Sequence, residues 1–153
     1  MGMDPDGGGS SVILALLPAQ HTLEHIVSFT RDIAAYSETF CYLTLDSLSP
    51  ARDSIIKAEV KVDFIAPEQP TSNLTSIGAS ISQKLAGGCK NLLLDLTSRN
   101  PAYTDERLVK FIHFVMAETK ASGATIILLT RKDSIPTIVY SELTDFADEV
   151  LEL

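Results

Sequence analysis

A chain of 153 residues fits one domain of common size, large enough to bury a real core. Hydrophobic residues make up 45% and charged residues 21%, close to the globular average, which argues against disorder of the whole. The net charge of −8 repels a phosphate backbone on average, and the twelve Lys and Arg cluster no further than Arg131-Lys132, so nucleic acid is not an expected partner. No apolar run approaches the roughly 18 residues of a membrane span, and no secretory signal is visible, so no membrane is expected. Cys41 and Cys89 fall inside or beside apolar runs, which suits small core residues of a reducing compartment better than a disulfide framework. The expected location is cytoplasmic.

Residues 1–10, with four glycines and two aspartates, read as a flexible lead or tag, leaving 11–153 as a single domain. The first apolar run, Val12 to Leu17, has no alternation and predicts a strand covered on both faces. From His21 to Tyr36, Leu23, Ile26, Val27, Ile33 and Ala34 recur at helical spacing. Phe40 to Leu45 predicts the second strand, and Pro50 opens a short helix through Ala58. Val60 to Ile65 alternates, as a strand with one less buried face does. Thr71 to Ala86 is helical by the spacing of Leu74, Ile77, Ile81 and Leu85, and Gly87-Gly88 close it.

Leu92 to Leu96 reads as the most central strand. Asp105 to Lys120 predicts a long helix with Leu108, Val109, Ile112, Val115 and Met116 on one face. Thr125 to Leu129 is a further apolar strand, a short helix is expected near Ile138 to Leu143, and the alternating C-terminus suggests an edge strand. Strands separated by helices predict an α/β fold: a three-layer sandwich with a mostly parallel, doubly wound central sheet. Ligands bind such sheets at the carboxyl ends of the strands, which directs attention to Pro18 to Thr22, Asp46 to Ser49, Pro67 to Gln69, Asp95 to Asn100 and Thr130 to Ser134.

The stretch from Asn91 to Ser98, an apolar run ending in Asp95 and a short polar segment, is similar to the Walker B strand of the RecA/KaiC group of P-loop ATPases. Thr125 to Thr130 resembles the strand that follows it in that group. Phe146 to Leu153, with Ala147-Asp148 before a last apolar strand, resembles its terminal phrase, and Phe40 to Ser49 its second strand and acidic exit. The resemblance spans nearly the whole chain from Val12. It implies a RecA-like sheet with Val12–Leu17, Leu92–Leu96 and Thr125–Leu129 in the middle, the second and third strands to one side, and the last strand on the other.

Catalysis departs from the pattern. A P-loop needs glycines whose N–H groups wrap phosphates, a lysine for the β- and γ-phosphates, and a Ser or Thr on magnesium. Ala15 to Thr22 offers none of the glycines; His21 stands in the lysine place and Thr22 in the magnesium-ligand place, and Pro18 removes a donor. The Walker A motif is absent, and ATP hydrolysis is not expected.

The candidate ligand crevice comprises His21, Thr22, Asp46, Asp95, Thr97 and Ser98. By the resemblance Asp95 implies a metal ligand and Asp46 an acid; as turn residues, both simply accept nearby backbone N–H groups. His21 and His25 share a helix face without a third zinc ligand, and His113 interrupts the apolar side of the long helix, where a partly buried histidine is expected. No metal site and no catalytic residue is assigned. Arg99 and Tyr103, in the loop after the Walker-B-like strand, are candidate interface residues because Arg and Tyr anchor many protein contacts.

The leading reading is a degenerate RecA/KaiC-like domain that works as a regulatory or scaffolding module through a protein partner or self-association. The alternatives are a sensor of nucleotide or another small molecule at the strand-end crevice, using the helix N-terminus without hydrolysis, and an enzyme of unrelated chemistry on a doubly wound sheet. No cofactor other than nucleotide suggests itself.

Overall fold

The computed structural model describes residues 11–20, 23–37, 39–65, 74–99, 103–131 and 135–153. The elements alternate: β1 (Ser11–Leu17), α1 (Leu23–Tyr36), β2 (Phe40–Leu45), α2 (Pro50–Lys57), β3 (Asp63–Ile65), α3 (Leu74–Ala86), β4 (Asn91–Arg99), α4 (Asp105–Ala121), β5 (Thr125–Arg131), α5 (Thr137–Phe146) and β6 (Glu149–Glu152). Among the described residues all six strands are parallel, in the order β3-β2-β4-β5-β1-β6. The three most continuously apolar runs, β4, β5 and β1, are central neighbours, with β2 and β3 to one side and β6 to the other.

That order dictates the layers. Right-handed crossovers put helices of connections running one way across a sheet on one face, and those running back on the other. β1 to β2 and β2 to β3 move one way; the three later connections move back. Accordingly Ile26 of α1 and Ala51 and Ile55 of α2 pack with Ile13, Ala15, Tyr42, Leu93 and Leu129 on one face. Ile77 and Ile81 of α3, Leu108, Ile112 and Val115 of α4, and Val139 and Leu143 of α5 pack with Leu14, Leu43, Leu94 and Leu128 on the other. Successive strand residues therefore feed opposite cores, which is why unbroken apolar runs were needed.

Local chemistry sets the helix ends. Ser49 caps α2 by accepting from Arg52 N (3.1 Å), with Pro50 at the first turn. Thr104 caps α4 by accepting from Arg107 N (3.3 Å), and Asp105 and Glu106 follow in the first turn, where negative charge meets the positive end of the helix dipole. Gly123 leaves α4 with φ +70°, a conformation that costs most other residues.

Three expectations need correction. The third strand spans Asp63–Ile65, not Val60–Ile65: Glu59 at φ 57° and the bond from Val60 N to Ile55 O (3.4 Å) keep the chain turning out of α2. The fourth strand runs on from Leu96 to Arg99 through an irregularity described below. His113 is exposed; it faces Glu142 across 3.4 Å and lies edge-on to the Phe146 ring. Among the described residues, no helix is long and apolar enough to cross a membrane.

Candidate functional site

The carboxyl end of the sheet gathers four of the six candidate crevice residues. His21 and Thr22, like 66–73, 100–102 and 132–134, lie outside the described residues; Pro18, Ala19 and Gln20 before them are exposed.

Asp95 sits on β4 opposite Thr44 of β2, and β-alternation places it on the α1–α2 side with Leu93. It is 1% exposed. A buried carboxyl group needs donors, since leaving its oxygens unpaired costs several kcal/mol, roughly. The Tyr42 hydroxyl, on the neighbouring strand and fully buried, donates to Oδ2. Thr97 donates twice to Oδ1, through its backbone N–H at 2.8 Å and its hydroxyl. Burial, followed by the adjacent Asp95 carboxyl, pushes the Tyr42 pKa well up, so the hydroxyl keeps its proton for that bond.

The bond from Thr97 back to Asp95 depends on a break in the ladder. Thr44 pairs with Asp95, but the next residue, Leu45, pairs with Arg99. Leu96, Thr97 and Ser98 are thus extra residues on β4, a bulge that folds the strand over its own aspartate. The same bulge brings the Ser98 hydroxyl to Asp46 Oδ2. Oδ1 of Asp46 accepts from Leu48 N (2.9 Å), a tight Asx turn, and the Thr44 hydroxyl accepts from Asp46 N (3.2 Å). Arg52 closes the outer side by donating to Ser47 O (2.9 Å).

Asp46, Asp95, Thr97 and Ser98 therefore do meet, in two adjacent hydrogen-bond systems built from β2, β4 and the start of α2. Sequence reasoning missed Tyr42. The signal was a phenol in a strand otherwise made of apolar residues and Thr44, where a buried hydroxyl demands an acceptor. Among the described residues no group of three or more His, Cys, Asp and Glu is arranged to hold a metal ion.

Of the candidate interface pair, Arg99 ends β4. Tyr103 is 7% exposed and packs in the core beside Leu108 and Phe111; burial raises its pKa. Its ring also walls an open groove of about 440 Å³ between α3 and α4, floored by Leu74, Phe111 and Phe114 and rimmed by Arg107 and Lys110. Gly78 lets the helices close in there, since a Cβ would lie 2.9 Å from the Phe114 ring. No family model matches the chain, and no curated protein is significantly similar to it.

Proposed function

We propose that the chain is a RecA/KaiC-like domain that has given up nucleotide chemistry and acts as a regulatory or scaffolding protein-interaction module. The observation that carries this reading is the internal use of Asp95. Its oxygens are engaged by Tyr42 and Thr97, so a magnesium ion at this position must first displace a fully buried hydroxyl and undo the β4 bulge. The strand order supports the reading, and so does the β1–α1 connection, whose Pro18, Ala19 and Gln20 bring neither glycine nor lysine.

The binding surface favoured by this reading is the α3–α4 groove. It combines exposed Phe114 with the buried flank of Tyr103, and its cations Arg107 and Lys110 stand out on a chain of net charge −8. An amphipathic partner segment with an apolar side chain for the floor and a carboxylate for the rim matches both features.

Calorimetry with Mg-ATP tests the first half: no heat of binding and no turnover above buffer are expected. Micromolar, magnesium-dependent affinity, lost in Asp95→Asn, would overturn it. For the second half, Arg107→Glu with Lys110→Glu should leave the melting temperature nearly unmoved and abolish capture of acidic amphipathic peptides from a display library. Equal capture by the double variant rejects the groove.

A further inference from the structure

The opposite, amino-terminal end of the sheet holds the two cysteines. Cys41 is the second residue of β2 and points into the core on the α3–α5 side. Cys89 lies between α3 and β4, where the chain must reverse direction. Gly88, at φ +106°, makes the reversal, and bonds from Gly88 N to Leu85 O (3.1 Å) and Cys89 N to Lys84 O (3.1 Å) hold it. Lys90 N and Asn91 N then dock on Thr39, one donating to its hydroxyl (3.1 Å) and the other to its carbonyl (3.2 Å). This clamp fixes the turn against the start of β2. The Cys89 thiol donates to Asn91 O at 3.2 Å, and its sulfur lies beside the Cys41 thiol, on the wall of the same cleft.

Two neighbouring thiols of a core are compatible with plain packing. Buried as they are, they sit at the edge of the core, however. Both line a cleft of about 580 Å³ open to solvent, whose walls include Lys61, Asp63, Gln83 and Lys84. Cys41 is 1% exposed and Cys89 6%, so a reagent entering the cleft meets Cys89 first. Charge and hydrogen bonding favour the same order. The neighbouring Cys41 thiol lowers the Cys89 pKa against the opposing effect of burial, while Cys89 and burial raise Cys41. Asp63 disfavours thiolate at either sulfur, and Lys84, 3.6 Å from Asp63, offsets this at Cys41.

We propose that Cys41 and Cys89 form a redox-active dithiol that closes to an intramolecular disulfide when the cleft admits a low-molecular-weight disulfide. The Cys89 thiolate attacks one sulfur of the small disulfide. A bond forms between them, and the other half leaves as a thiolate that takes up a proton. Cys41 then gives its proton to solvent and attacks the Cys89 sulfur, expelling the second small thiolate, which is protonated in turn. Two protein thiols are oxidised, and one small disulfide is reduced to two thiols. The new bond links the start of β2 to the turn before β4.

The experiment equilibrates the folded full chain in glutathione buffers from fully reduced to fully oxidised, followed by acid quench, alkylation and intact-mass measurement. The expected product is monomeric, carries no adduct, is two hydrogens lighter, and gives a Cys41–Cys89 cross-linked peptide. Cys41→Ser should instead stop at one glutathione adduct on Cys89. Wild-type protein that keeps two alkylatable thiols in oxidised buffer, yet oxidises once unfolded in urea, would overturn the proposal. A stable glutathione adduct on wild-type Cys89 would do the same, because it would place Cys41 out of reach. The wild-type arm decides the matter even if the serine variant does not fold.

Discussion

β2 and β4 are neighbours along their whole length, yet their two ends are built on opposite plans. At the carboxyl end, Asp95, Asp46, Thr97 and Ser98 satisfy one another and Tyr42, and the polar groups turn inward. At the amino end the same strands open into a cleft with an exposed Lys84–Asp63 pair and two thiols. In parallel sheets the carboxyl end is the usual ligand end. Here the extra residues of β4 supply the donors that satisfy Asp95 and Asp46, so the carboxylates at that end serve the structure.

If that contrast is right, substitutions at the carboxyl end should cost stability and those at the amino end should not. The largest effect is expected for Tyr103→Ala, which removes a buried ring just past β4: a loss of about 3 kcal/mol in urea denaturation. A loss below about 1 kcal/mol would mean the ring serves the groove more than the core.

Tyr42→Phe comes next. It strips the hydroxyl from Asp95 and leaves Oδ2 without that donor, for an expected loss of about 1–3 kcal/mol. It also changes the alkaline limb. An unfolded tyrosine ionises near its ordinary value of 10.0, whereas burial and Asp95 keep the folded one protonated beyond that. Its contribution is therefore complete below pH 10.0 and is lost as pH rises further. Stability of the Phe variant should fall less steeply above that pH; parallel curves would show that Tyr42 is not the group responsible.

Ser49→Ala should cost about 1 kcal/mol, the usual worth of a helix cap, measured in the same denaturation series. The smallest effect belongs to the other end. Lys84→Met removes one member of a pair whose side chains are 44% and 68% exposed, and should move stability by no more than about 0.5 kcal/mol. A larger loss there than at Ser49 would reverse the contrast.

The layers and the three central strands were legible because they rest on apolar runs, which report burial directly; the flanking strands were placed by the family resemblance. Val12–Leu17 and Thr125–Leu129 could be strands only if both faces were covered, and they are. The β4 bulge was not legible, because Leu96-Thr97-Ser98 looks the same whether it continues a ladder or leaves it. Asp95 and Asp46 were visible as strand-end carboxyls, but Tyr42 could be assigned to Asp95 only with the β2–β4 register in hand. That Cys41 and Cys89 line one cleft was hidden for a similar reason: it depends on how Gly88 redirects a turn between residues far apart in sequence.

The β1–β6 pair has a mechanical meaning. The two strands are parallel, in register from Ile13–Glu149 to Leu16–Glu152. Asp148 clasps their leading end, its N–H donating to Val12 O and its Oδ2 accepting from Val12 N, both at 2.7 Å, and Leu153 N closes the trailing end on Leu16 O at 2.9 Å. A load entering at Ser11 and leaving at Leu153 pulls these strands past each other, so every bond of the ladder is strained together instead of unzipping one by one. The same domain pulled from Glu149 and Ser11, at one end of the pair, should peel open at a much lower force.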